Sequence, residues 1–224
     1  MNLSHHKETD WVEKYSPQKR VLSEKNYLRI KRILDIAVIL LSSPIWFPVI
    51  ILIGIAIKLS SPKDAVFFIQ QRTGKDGKRF AMIKFRTMVA NSEEEKHTLD
   101  HLNVLKWPDF KIPNDPRITR IGRFLRKTSL DELPQVINIL KGEMSLVGPR
   151  PTSFSPETYA LWHTERLEVV PGLTGLWQIS ERGVSDFDER LRLDITYIEH
   201  HCLRLDFEIL LRTIAAVFKG RGAF

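Results

Sequence analysis

The sequence holds one cysteine, Cys202, in 224 residues. One thiol excludes an internal disulfide framework, so the soluble part is expected on the reducing, cytosolic side. His200-His201-Cys202 has no partner cluster at zinc spacing, and His5-His6 reads as a solvated pair rather than a metal site. The chain has no Walker A loop and no dinucleotide-binding glycine fingerprint. It has no internal repeat and no low-complexity tract. Acidic residues are in deficit, 27 against 34 Lys and Arg, for a formal net charge of +7. That excess suits an anionic partner. Residues 58–86 hold eight Lys or Arg and two Asp directly after the most apolar segment, which favours a membrane surface over nucleic acid. Trp162 and Trp177 accordingly read as core or interface residues rather than base-stacking platforms.

Charge is missing altogether from Ile36 to Ile57. As one helix these 22 residues would reach about 33 Å, against a hydrocarbon core of roughly 30 Å. Two features argue against a plain span. Ser42-Ser43-Pro44 and Pro48 interrupt the run, and each proline lacks the N–H that an α-helix needs. Basic residues flank both ends: Lys25, Arg29, Lys31 and Arg32 before, Lys58, Lys63, Arg72 and Lys75 after. Positive flanks prefer the cytoplasmic side. The expectation is a helix–break–helix entering and leaving by one face; a kinked spanning helix is the alternative. Residues 1–26 read as loosely attached, too long and polar for the n-region of a signal peptide.

Ala65–Gln70 and Arg79–Arg86 are strand candidates around the turn Gly74-Lys75-Asp76-Gly77, which predicts a hairpin. Asn91–His101 is acidic and helical in tendency, and Trp107–Pro116 reads as a loop. Ile118, Ile121 and Leu125 share one helix face; Leu133, Val136, Ile137 and Leu140 share another, ended by Gly142. Gly148–Pro151 and Pro171–Gly175 read as loops. Pro156–Glu168, Phe187–His200 and Phe207–Lys219 read as helices, the last with an apolar face suited to core or lipid interface.

Three constellations could carry chemistry. Asp131-Glu132 precedes Pro134, and placing Asp131 at the helix N-cap lets Pro134 fall where a missing N–H costs nothing. Capping alone would explain that position. In the functional reading the positive helix end keeps Asp131 ionised and draws phosphate. Asp131 is then a candidate nucleophile on phosphorus, and Glu132 a candidate ligand for Mg²⁺. Arg117, Arg120, Arg123 and Arg126 sweep around half a helix, mostly toward water or lipid headgroups; Arg126, nearest the carboxylates, is the candidate diphosphate contact. Arg150 is held between Pro149 and Pro151, a stiffness that suits a phosphate clamp and equally suits a structural turn. Asp194 and Asp206 are further candidates; the alternative for each is a helix cap or a pairing with Arg192, Arg204 or Arg212 alone.

The order of motifs resembles the bacterial sugar transferase family, the monotopic phosphoglycosyl transferases. It runs from the Ser-Pro in the apolar helix through Gln70-x-Arg72 and Lys84-Phe85-Arg86-Thr87-Met88. It continues with Leu125-Arg126, Ser129 to Gln135, Asn138 to Pro151, and Pro171-Gly172-x-Thr174-Gly175. The resemblance covers about residues 28–224. It implies an α+β, mainly helical fold with a small hairpin or sheet, a re-entrant N-terminal membrane helix and interfacial amphipathic helices. The expected organisation is a polar extension over 1–27, the re-entrant segment over 28–59 and a catalytic domain over 60–224. The implied reaction moves a sugar-1-phosphate from a nucleotide diphosphate sugar, expected to be a UDP-sugar, onto polyprenyl phosphate. It would proceed through a covalent aspartyl intermediate at the cytoplasmic face of the bacterial inner membrane. Asp131 matches the family's nucleophile and Glu132 its Mg²⁺-binding neighbour. Arg126, Arg150, Asp194 and Asp206 match substrate-site or framework positions. Val170 and Glu181 depart from the family's usual Arg and Gly, which touches local phosphate contacts or sugar choice. A non-catalytic membrane adaptor is the rival reading, and a homo-oligomer is left open.

Overall fold

The computed structural model describes residues 11–16, 22–104, 112–158, 161–180 and 187–218. Helix α1 spans Glu24–Ser60, and an antiparallel hairpin follows, β1 (Phe67–Thr73) and β2 (Arg79–Phe85), closed by a turn at 74–78. Next come α2 (Arg120–Lys127), a 3₁₀ segment at Leu130–Gln135 and α3 (Val136–Lys141). Strand β3 (Ser145–Val147) pairs in parallel with β4 (Gly172–Thr174), and α4 (Leu176–Ser180), α5 (Phe187–His200) and α6 (Leu203–Phe218) complete the described chain. The architecture is α+β and mainly helical, with two small two-stranded sheets among the described residues.

The expected hairpin is present, its first strand starting two residues and ending three residues later than expected. Phe80 and Met82 are buried on one face of β2, packed with Ile39, Val136, Ile139 and Met144. Strand side chains alternate between faces, so Lys84 shares that inward face. Asn138, fully buried, ties α3 to the strand: its Nδ2 donates to the Ala81 carbonyl at 2.8 Å and its Oδ1 accepts the Ile83 N–H at 3.1 Å. Gly122 lets α2 lie against the chain after β2, since a Cβ there would meet the Thr87 carbonyl oxygen at 2.0 Å.

Helix α1 differs from the expected helix–break–helix. It runs through Pro44 and Pro48 without interruption. A hydroxyl answers the donor missing at Pro44, and two further side chains bond carbonyls of the same turn. The Leu40 carbonyl, which the absent N–H of Pro44 would have served, accepts the Ser43 hydroxyl at 2.7 Å. Trp46 Nε1 reaches back seven residues to the Ile39 carbonyl at 2.8 Å, and the Ser42 hydroxyl donates to Val38 at 2.6 Å. Side chains thus satisfy backbone groups where proline opens the ladder. The helix is long and apolar enough to cross a membrane, and Leu41, Ile45 and Leu59 are strongly exposed along it.

Both ends of the apolar run rest on the same body. At its base, Arg32 donates to the Ile139 and Leu140 carbonyls at the C-terminal end of α3. Asp35 accepts from the Ser145 hydroxyl at 2.7 Å and from the Leu146 N–H at 3.3 Å. Lys31 pairs with Asp206 at 2.7 Å. At the far end, Ile57 is buried with Phe85 and Leu125, and Ile50 and Ile53 pack beside them.

The N-terminal extension also departs from expectation. Of residues 1–26, 1–10 and 17–21, with His5-His6, lie outside the described residues. Val12, however, is 1% exposed and packs with Val147, Leu176, Tyr197, Leu205 and Ile209. Trp11 stacks under the Arg212 guanidinium at 3.9 Å, and Lys14 and Tyr15 both reach Glu208. The polar look of this segment hides one apolar anchor. Pro156–Glu168 is not one α-helix but two 3₁₀ pieces, Pro156–Thr158 and Leu161–Glu168, separated by residues outside the description. The expected loop after Pro171 contains β4, whose three residues bond to β3 because Gly148 and Gly172 let two backbones meet. A Cβ on Gly172 would stand 2.1 Å from the Gly148 nitrogen. On α6, Phe207, Leu211 and Ile214 form an exposed apolar face, and on α2 Phe124 is exposed between Arg123 and Lys127. Both match the expected amphipathic surfaces.

Candidate active site

Asp131 is not the N-cap of a helix. The preceding turn ends at Ser129 in the left-handed region, at φ 57°, with no side-chain cap, and Asp131 is the second residue of the 3₁₀ segment. Pro134 explains this. It removes the donor that would continue an α-helix, so the chain tightens into 3₁₀ geometry and the α-helix proper starts at Val136. Asp131 and Glu132 still occupy the first turn.

The two neighbouring carboxylates meet opposite surroundings. Glu132 pairs with Lys84 at 2.8 Å and takes both terminal nitrogens of Arg150. Burial opposes its ionisation, but Arg150 and Lys84 outweigh that and hold its carboxyl well below the usual range. Asp131 makes no hydrogen bond or ion pair among the described residues. Burial and the adjacent Glu132 push its pKa up, against the pull of Lys84, Arg126 and Arg150. This differs from the expectation that a helix end keeps Asp131 ionised: its neighbours' charges, not a helix dipole, supply the attraction. Burial also lowers the Lys84 pKa, partly offset by Glu132.

Arg126 stands beside this group, its Nε donating to the Thr87 hydroxyl at 2.9 Å. Burial lowers its pKa, with Asp131 acting in the opposite direction. Asp131, Glu132, Arg126 and Arg150 are thus brought together. Asp194 and Asp206 lie elsewhere and take other partners than the arginines named above. Asp194, 1% exposed, pairs with Arg166 at 2.6 Å, and burial pushes its pKa up to about 6. Asp206 accepts from Tyr27 at 2.8 Å and Tyr197 at 2.7 Å and pairs with Lys31, a cluster that joins α1 to α5 and α6.

Sequence reasoning missed two cations. Lys84 was legible in principle, because Phe80, Met82 and Lys84 sit at i, i+2 and i+4, and a lysine on a buried strand face needs a carboxylate. Arg166 left no such signal, since its segment looked like an ordinary helix.

For Mg²⁺, the donor set decides. Among the described residues no group of three or more His, Cys, Asp or Glu could hold a metal. Asp131 is open and Glu132 is already paired with two cations. The site therefore suits a cation that arrives with phosphate oxygens, held through one or two carboxylates, rather than one in an all-protein cage. Together the residues offer an unpaired carboxylate beside three cationic side chains, an arrangement able to hold a diphosphate against a nucleophile.

The model of a family described as bacterial sugar transferase matches residues 26–220. A galactosyl transferase, CpsE, of Streptococcus agalactiae is 42% identical over 88% of this chain and 44% of its own length. An undecaprenyl-phosphate galactose phosphotransferase of Salmonella typhimurium is 41% identical over 91% of this chain and 43% of its own length. The chain thus spans less than half the length of these two relatives. The exopolysaccharide production protein ExoY of Rhizobium meliloti is 38% identical over 87% of this chain and 88% of its own length.

Proposed function

Since the chain belongs to the bacterial sugar transferase family, we propose that it transfers a sugar-1-phosphate from a UDP-sugar onto undecaprenyl or a related polyprenyl phosphate. Such a step would initiate exopolysaccharide or a similar glycan. The names of the relatives from Salmonella and Streptococcus support this reading. The observation that carries it is Asp131: half-buried, without a hydrogen bond or ion pair among the described residues, and under the charges of Lys84, Arg126 and Arg150.

In the first step an Asp131 carboxylate oxygen attacks the phosphorus that bears the sugar. The bond from that phosphorus to the bridging oxygen breaks, and nucleoside monophosphate leaves with the electron pair. In the second step a phosphate oxygen of the lipid attacks the same phosphorus and frees the carboxylate. Arg126 and Arg150 hold the diphosphate, and Lys84 and Arg150 offset charge where the bond breaks. Glu132 would hold a Mg²⁺ that arrives with the substrate phosphates, and the ion would supply further positive charge for the leaving group.

The proposed placement is at the inner membrane with the catalytic part on its cytoplasmic face. A helix whose Ile39 and Ile57 both rest on one domain is poorly suited to put those ends on opposite sides of a bilayer. That contact, with basic flanks at both ends, supports a re-entrant segment. The test of the chemistry is the covalent intermediate. Incubation with UDP-galactose and Mg²⁺ but no lipid should release about one nucleoside monophosphate per enzyme. Peptide mapping should then find a phosphosugar on Asp131. Full transferase activity in Asp131→Asn would sink the mechanism.

A further inference from the structure

Arg150 can clamp a diphosphate only if its backbone is held, and its own loop cannot do this. Pro149 and Pro151 stiffen the loop but donate nothing. Its carbonyls are instead held from outside. Pro149 accepts the Gly172 N–H at 2.9 Å, Pro151 accepts Arg72 Nη1 at 3.3 Å, and Thr152 accepts the Thr73 N–H at 2.9 Å. The carbonyl of Arg150 itself accepts Arg166 Nη2 at 2.6 Å. The same nitrogen donates to Asp194 Oδ2 at 2.6 Å, so its two protons join a carboxylate on α5 to the backbone of the clamp.

We propose that Arg166 and Asp194 are positioning residues for nucleotide-sugar binding, acting through the Arg150 carbonyl to hold the Arg150 guanidinium over the reacting phosphates. Three observations carry this. The two side chains are 6% and 1% exposed, so water neither screens nor replaces the link. A purely structural ion pair between α5 and the 161–168 segment would not need the Arg150 carbonyl as a third member. Asp194 Oδ1, buried, has no hydrogen-bond partner among the described residues. A half-satisfied buried carboxylate is a poor choice for stability alone, and is better explained by the hold it gives Arg166.

The inference rests on the function proposed above, and the experiment separates the two. The full chain is purified in nanodiscs and assayed with UDP-galactose and undecaprenyl phosphate. Asp194→Asn should raise KM for UDP-galactose about tenfold, the coupling expected within one hydrogen-bonded network, and leave KM for the lipid unchanged. A merely structural loss would lower the active fraction, hence kcat, and move neither KM. In an Arg150→Lys background the same substitution should cost less than about twofold. Arg166→Gln should match Asp194→Asn, and Arg166→Lys, which keeps two donors, should recover part of the loss. Unchanged KM in Asp194→Asn, or full additivity with Arg150→Lys, overturns the inference. If wild type turns over no UDP-sugar, the function is wrong. The positioning link is then judged by denaturant unfolding of the same two single variants and their double, where additive stabilities overturn it and coupled ones uphold it.

Discussion

Asp131 and Glu132 are adjacent, yet neutralising each should have opposite effects on stability. Glu132→Gln leaves Lys84 and Arg150 without their counter-ion. The side chains of Glu132 and Lys84 are both 16% exposed and that of Arg150 is 30% exposed. Removing one partner of a buried ion pair costs about 3–5 kcal/mol. Partial exposure of Arg150 points to the lower end, about 3 kcal/mol. For a domain of this size that corresponds to a fall in Tm of about 6–12 °C. Asp131→Asn removes a carboxylate whose pKa is raised, so its ionised form opposes folding at neutral pH. Its Tm should hold or rise. The sign for Glu132 is the reverse. Its pKa is depressed, so its stabilisation is present above the ordinary value of 4.5 and is lost as pH falls through the lower folded value. The assay is thermal unfolding in nanodiscs at pH 7, followed by tryptophan fluorescence. Adding Lys84→Met to Glu132→Gln should restore part of the loss, because it removes a stranded buried charge while keeping the unbranched stem. Equal shifts for Glu132→Gln and Asp131→Asn, or no shift for the former, would refute the assignment of Glu132 as counter-ion.

Single cysteines near Lys25 and Lys63, in a Cys202→Ser background, should label from the same side of sealed vesicles; labelling from opposite sides would require a spanning helix. The rate of adduct formation should fall on the acid side along a limb lying above the ordinary aspartate value of 3.8, since burial and Glu132 raise the Asp131 pKa; quenched-flow release of nucleoside monophosphate against pH measures it. Val12→Ala should cost about 2 kcal/mol and lower Tm while leaving kcat unchanged, because Val12 fills a core remote from the carboxylates.

What the sequence made legible was whatever depends on neighbours in the chain. The hairpin follows from alternation around Gly74–Gly77, and α5 from its helical period. Asp131, Glu132, Arg126 and Arg150 stood out because proline and charge mark them locally. What stayed hidden depends on contacts far apart in sequence. The Glu132–Arg150 pair spans 18 residues and the Lys84–Glu132 pair 48. The break expected at Ser43-Pro44 did not interrupt the helix, because proline's missing donor is a local fact while its repair by the Ser43 hydroxyl depends on side-chain geometry. Strand β4 escaped because three residues carry no period, and Val12 because one apolar residue among polar ones announces nothing until it meets its pocket.

The bolts at the foot of α1 act as a depth gauge. Asp35, the last of them, immediately precedes Ile36, where the uncharged run begins. One residue of helix rises about 1.5 Å, so little slack separates the anchored body from the greasy segment. In the proposed placement, the height of Asp131 relative to the lipid phosphates is then set by helix register rather than by a hinge. One alanine inserted between Asp35 and Ile39 would lift the membrane segment by only that rise but turn it by about 100°. It would aim a different flank at the body and, under the proposed function, move the carboxylate away from the plane where it would meet the phosphate of a lipid acceptor.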